Sequence, residues 1–234
     1  MIREAAAARL IDAWDAGLAQ HPVDRALTIA RCYTEFDRPQ LAALSIGARD
    51  ALLLEIRRRL AGDRLAGTCM CGTCGEGNEF ELDAAALPAP SAPSDGIVTA
   101  TIGERTLRAR LPNSFDLAAV VEAPDEDEAA RIIVRRCLLD DAPLDEEVIG
   151  AVDRAMEAAE GVAAVAVNFA CSACGAANRV PFDIASFLWL EFAERIERVI
   201  EDVEILASTY GWSEADILAM SERRRVRYVE RVRR

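Results

Sequence analysis

The stretch "TCMCGTCGEGNEFELD", residues 68–83, places three cysteines within six residues and then alternates like a β-strand. A second stretch, "ACSACGAANRVPFD", residues 170–183, lies over it at a constant offset of 100. Cys71 falls on Cys171, Cys74 on Cys174, Gly75 on Gly175, Asn78 on Asn178 and Asp83 on Asp183. The chain thus repeats a knuckle-plus-strand unit, and what its cysteines do decides how the rest is read.

In a CxxCG knuckle two intervening residues let both thiolates face one ion, and the glycine permits the tight turn that frees backbone N–H groups towards sulfur. Each knuckle supplies two ligands, and a closed structural zinc site takes four. Cys71, Cys74, Cys171 and Cys174 are therefore the expected ligands of one structural Zn²⁺, with no position left open for water or substrate. Cys69 in "CMC" is a possible substitute for Cys71. Between Cys74 and Cys171 lie 96 residues. Closing a loop of that length costs about 4 kcal/mol, whereas structural zinc contributes roughly 10–16 kcal/mol on binding. Such a site would staple two distant segments together. Dithiol redox chemistry is the rival, but it normally needs a pair at a helix N-terminus, and both pairs here are flanked by strand-like sequence. Idle cysteines are the remaining alternative. Cys32 and Cys137 sit in apolar helical patterns and read as small core residues.

The 234 residues, 52% of them hydrophobic, suffice for a core and one or two domains. No apolar run approaches a membrane span. The opening "MIREAAAARLIDAW" reads as an amphipathic helix and not as a signal peptide. A cytoplasmic protein is expected, where thiols stay reduced and paired cysteines favour metal. The net charge of −13, with arginine as every one of the 27 basic residues, disfavours nucleic acid as a partner. The last stretch, "SERRRVRYVERVRR", residues 221–234, carries +5, so the remainder carries −18. Val226, Val229 and Val232 recur every three residues, which predicts an amphipathic helix with its arginines in water. The single histidine, His21, reads as a solvated loop residue. It excludes two-histidine zinc motifs and leaves no second imidazole for a catalytic pair.

Helices are expected over residues 3–61, with a restart after Pro22, Ser45 as a cap and Gly62 as a stop. "LPAPSAPSDG", 87–96, reads as a linker or loop, and "IVTATIGERTLRARLP" as two strands around Gly103. Asn113 or Ser114 caps a helix at "NSFDLAAVVE", and "PDEDEAARIIVRRCLLDD" places its acidic residues in the first turn of the next. In the long helix that follows Asp183, Leu188, Phe192, Ile196, Val199, Val203 and Leu206 form one stripe, with Glu191–Arg195 and Glu194–Arg198 at i,i+4. Gly211 ends it. Ser213 and Asp216 then read as a capping box, with Trp212 and Ile217 as a hydrophobic staple. The expected fold is α+β and mostly α-helical. Helical N- and C-terminal parts surround a small zinc-ribbon-like β element made by the two knuckles, with a long insertion. The segments are 1–66, 67–111, 112–160, 161–183 and 184–234.

Four segments in this order carry a family resemblance: "SIGARDALLLEIRRRLAG" before the first knuckle, "LRARLPNSFDLAAV" after it, "CSACGAANRVPFDIASFLWLEFAERI", and "LASTYGWSEADILAMSERRRVRYVERV". Together they resemble the baseplate hub assembly chaperone of T-even-type phages, in the divergent form encoded with phage-tail-like contractile injection systems. The "FLW…YGWSEADILAM…RRR.RY" block is the most specific part. The resemblance implies a non-enzymatic assembly factor whose partners are baseplate hub, spike or tail-tip proteins. It defines no individual functional residues, and the zinc ligands rest on this chain's own cysteines. A chaperone needs exposed apolar or charged surface for its client, and Trp189, Tyr210, Trp212, Arg223, Arg224 and Arg225 are the candidates. The alternative is a zinc-ribbon nucleic-acid-binding regulator, which the basic tail favours and the −18 body opposes. No nucleophile–base pair or phosphate loop is visible, so an enzyme is the least supported class.

Overall fold

The computed structural model describes residues 2–3, 5–91, 93 and 95–234. The chain is α+β and mostly helical, with three separate two-stranded antiparallel hairpins among the described residues. It divides into two compact units, residues 1–38 with 185–234, and residues 39–184. The boundary after Arg38 falls inside the expected 1–66 segment, whose first part shares a unit with residues 185–234.

The first unit holds helices α1 (Ala7–Leu18) and α2 (Pro22–Tyr33) and the C-terminal helices described below. Helix α2 begins at Pro22 rather than after it. Proline suits the first helical position, where its missing N–H is no loss. His21 is the N-cap, its Nδ1 accepting from the Val23 N–H at 3.3 Å, so it is a capping residue and not merely a solvated one. Cys32 lies buried on α2, in the core as expected.

The second unit runs from α3 (Arg38–Ala43, begun one residue before the boundary) and α4 (Ile46–Ala61) into β1 (Arg64–Met70) and β2 (Gly77–Asp83). Ser45 caps α4 by accepting from Ala48 N–H, and Gly62, at φ +79°, stops it. The hairpin of β3 (Ile97–Ile102) and β4 (Arg105–Arg110) turns at Gly103 and is followed by α5 (Ser114–Ala119), α6 (Glu126–Cys137) and α7 (Glu146–Ala159). Val98, Ala100, Leu107 and Ala109 alternate inward from this hairpin and pack on Val134 and Cys137 of α6 and on Val148, Val152 and Met156 of α7. Cys137 is fully buried here. The acidic first turn of α6 starts at the Asp125 cap, where the helix dipole favours negative charge. Within the 87–96 stretch, Ala92 and Ser94 lie outside the described residues. Ser91 is tied down by bonds to the Ala159 and Ala158 carbonyls at 3.0 and 3.1 Å, so this part is a docked loop. A 3-10 turn, Gly161–Ala164, then leads to the third hairpin, β5 (Ala166–Ala170) and β6 (Ala177–Pro181).

The chain returns to the first unit along α8 (Ile184–Tyr210), then α9 (Glu214–Leu218) and α10 (Glu222–Val232). Leu188, Phe192, Ile196, Val199 and Leu206 of the α8 stripe are buried, with Val203 half-buried. Arg195 reaches across to Glu222 at 2.6 Å, and Arg198 Nε donates to its own helix at the Glu194 carbonyl. Gly211 ends α8 at φ +69°. Ser213 caps α9 by accepting from the Asp216 N–H at 3.2 Å, and its hydroxyl donates to Asp216 Oδ2 at 2.6 Å, so Asp216 bonds the cap's hydroxyl and not its backbone N–H as the expected capping box would have it. Trp212 and Ile217 meet in one cluster with Leu206 and Val229. On α10 the buried face is Arg225, Val229 and half-buried Val232, spaced 4 and 3 apart, while Val226 is exposed. This shifts the expected valine stripe by one position. Arg225 turns inward because Asp202 on α8 receives its Nε at 2.9 Å. No helix among the described residues is long and apolar enough to cross a membrane.

Candidate metal centre

The two cysteine repeats fold as the same turn at the tips of two hairpins. In the first, Met70 pairs with Gly77, the Cys71 N–H donates to the Glu76 carbonyl at 2.8 Å, and the Gly75 N–H to the Cys71 carbonyl at 2.9 Å. In the second, Ala170 pairs with Ala177, Cys171 N–H donates to Ala176 at 2.9 Å, and Gly175 N–H to Cys171 at 2.9 Å. Gly75 and Gly175 hold φ values of +75° and +73°, a region a side chain strains against, which is why glycine follows the second cysteine in both.

The tips meet. The sulfurs of Cys71, Cys74, Cys171 and Cys174 all lie within 4.8 Å of one another. Cys71 Sγ is 3.8 Å from Cys174 Sγ, and Cys74 Sγ is 3.6 Å from Cys171 Sγ. A tetrahedron with metal–sulfur bonds of about 2.3 Å has edges of about 3.8 Å, so these two spacings match the edges of a tetrahedral site. A disulfide needs about 2.05 Å, and all seven cysteines are free. The donor set, four soft thiols in near-tetrahedral array, fits Zn²⁺. Cys71 and Cys171 are buried, whereas Cys74 and Cys174 face solvent.

Backbone donors prepare two of the sulfurs, Cys71 and Cys171, for the charged form. At Cys74 the lowering Glu76 N–H is outweighed by the Cys174, Cys171 and Cys71 thiols and by burial, which push it up to about 12. The N–H groups of Cys74 and Thr73 point at Cys71 Sγ and, with Asn178, bring its thiol down to about 6. The N–H of Cys174 does the same for Cys171, which is also lowered. Cys69 does not belong to the cluster. It lies in β1 opposite Asn78, buried, and burial raises its thiol. Of the two cysteines in "CMC", Cys71 is therefore the one that stands in the cluster. The two knuckles meet although 96 residues lie between Cys74 and Cys171. Phe80 of β2 and Phe182, just past β6, pack edge to face at 6.2 Å and join the two hairpins below their tips.

Sequence reasoning missed two residues here. Asn78 and Asn178 matched across the repeat, and each turns out to reach the opposite knuckle. The signal was an asparagine four positions after the second cysteine in both copies.

The expected partner residues scatter between surface and interior. Trp189 is buried, lies against Phe192 and Gly17, and carries the Arg25 guanidinium over its ring at 4.9 Å. Arg225 is 3% exposed. These two serve the interior of their unit and present little to a client. Tyr210, Trp212 and Tyr228 form one aromatic cluster with ring centroids 4.5–6.1 Å apart, and Tyr210 remains exposed at its edge. Arg224 covers Tyr228 at 5.8 Å, and Arg223 is exposed. Comparison of the chain with protein-family models, with curated proteins and with solved structures gives no match.

Proposed function

We propose that this chain is a non-enzymatic assembly factor for the baseplate hub of a phage tail or phage-tail-like contractile injection system, stapled by one structural Zn²⁺ on Cys71, Cys74, Cys171 and Cys174. The zinc part rests on the sulfur tetrahedron: four thiols at metal-site spacing leave no fifth partner among them for a reacting water, which favours a structural role. The assembly part rests on the sequence resemblance. Its most specific block coincides with α8, α9 and α10, built around the Tyr210–Trp212–Tyr228 cluster. Arg223, Arg227 and Arg231, four residues apart on α10, are exposed and without an ion-pair partner among the described residues. They favour an acidic client surface.

The test is to tag the protein in its native host, isolate it mildly before particle maturation, and identify what accompanies it. Recovery of baseplate, spike or tail-tip proteins supports assembly work and names the client. Recovery of nucleic acid or transcription proteins without tail components favours the zinc-ribbon regulator instead. Charge reversal at Arg223, Arg227 and Arg231 is expected to abolish client binding with the thermal melt unchanged, while Arg225 must be left in place because it is buried against Asp202.

A further inference from the structure

Asn78 and Asn178 make a reciprocal set of bonds across the two hairpins. The Asn178 Oδ1 accepts from Gly72 N–H of the first knuckle at 3.0 Å, and its Nδ2 donates to Cys71 Sγ at 3.5 Å. The Asn78 Oδ1 accepts from Ser172 N–H of the second knuckle at 2.8 Å, and its Nδ2 donates to Cys171 Sγ at 3.6 Å. The second hydrogen of each Nδ2 stays at home, on the Glu76 and Ala176 carbonyls at 2.9 and 2.8 Å. Each amide thus uses its oxygen and both of its hydrogens, and turning it over would set donor against donor. Only asparagine offers this combination at this length. Aspartate lacks the N–H donors and brings a negative charge to the sulfurs.

We infer that Asn78 and Asn178 form a latch that joins the two knuckles within one chain and supplies an N–H to each of the two buried ligand sulfurs. They are positioning residues, and the inference rests on the metal reading only for its effect on affinity. A metal site made from segments 96 residues apart must gather them, and the latch gathers them through bonds from neutral amides. Once four thiolates share one Zn²⁺ the cluster is negative, and an N–H on the inner sulfurs offsets that charge. Outer partners of ligands commonly govern affinity by 10–100-fold.

Two readouts separate the latch from the metal. Hydrogen exchange of the backbone amides is followed by NMR on reduced protein, with and without zinc. Asn178→Ala is expected to expose Gly72 N–H, and Asn78→Ala to expose Ser172 N–H, each in the opposite knuckle, while amides of the β3–β4 hairpin stay protected and report an intact fold. Zinc affinity, measured by competition with a chelator, is expected to fall 10–100-fold in each variant. Asn78→Asp separates the two jobs: the carboxylate still accepts from Ser172 N–H, so protection is retained, but affinity falls. Unchanged exchange at Gly72 and Ser172 in the alanine variants overturns the latch, as does zinc affinity equal to that of the unaltered chain. If the unaltered chain takes up no zinc, the metal reading fails, and the cross-knuckle exchange still decides the latch.

Discussion

Asp116 shows how one side chain can tie three segments. It is fully buried, closes the α5 capping box by accepting the Asn113 N–H at 3.0 Å, and receives Arg110 at 2.6 and 2.9 Å and Arg136 at 2.7 Å. Burial alone would raise its carboxyl, but the Arg110 and Arg136 guanidiniums and the Asn113 N–H hold it at about 2. The folded carboxyl thus gives up its proton more readily than the unfolded one. Its contribution is present above the unfolded value of 3.8 and is lost as pH falls towards about 2. Asp116→Asn is expected to cost about 3 kcal/mol in urea titrations at pH 7, because it breaks a buried charged network. A loss below about 0.5 kcal/mol, the scale of an ordinary surface change, would contradict this. Glu160 behaves oppositely. Burial pushes its carboxyl up to about 7, although the Gly47 N–H at the start of α4 bonds its Oε2 and opposes the shift. The folded state keeps this proton longer than the unfolded chain. Stability from Glu160 is therefore complete below the ordinary value of 4.5 and declines as pH rises through about 7. Thermal midpoints across that window should fall with pH in the unaltered chain and fall less in Glu160→Gln. An identical slope in both would show that this carboxyl titrates normally.

At the scale of elements, caps and stops were the most readable features. Ser45, Gly62, Asn113, Ser213 and Gly211 act where local chemistry places them, because a cap or stop bonds within four residues of itself. What local pattern could not reveal depended on a partner far along the chain. Arg225 is indistinguishable in sequence from its neighbours, and it is Asp202 on α8, two helices earlier, that draws it inward. Trp189 looked like client surface until Gly17 of α1 proved to hold its ring. At Gly17 a Cβ would overlap that ring, so Gly17→Ala should destabilise the chain by about 1–3 kcal/mol despite alanine's better helix propensity. A melt unchanged or raised by this substitution would mean that the tryptophan can move aside. At α9, Ser213→Ala should cost about 1 kcal/mol through loss of the cap, read as a lower urea midpoint.

For the whole molecule, the internal repeat at an offset of 100 identified the four cysteines, since the CxxCG knuckle is a local turn that folds the same way twice. That the tips meet within one chain, and that Cys71 rather than Cys69 is in the cluster, depended on how β1–β2 and β5–β6 pack through Phe80 and Phe182. No periodicity encodes that meeting. The grouping of the terminal helices into one unit is equally hidden, because residues 1–38 and 185–234 are separated in sequence by all of 39–184. Zinc bound at the tips would hold both ends of the long insertion, so removing it should loosen residues 39–184 as a body.

The most direct measurement is metal content per chain on reduced, purified protein, by elemental analysis and native mass spectrometry, for the unaltered chain and for a Cys74→Ser/Cys171→Ser variant. One zinc per chain, lost in the variant, with a thermal midpoint lowered by a strong chelator, is the expected result. Protein that carries no tightly bound metal, and whose melt a chelator leaves unchanged, would contradict the four-cysteine staple.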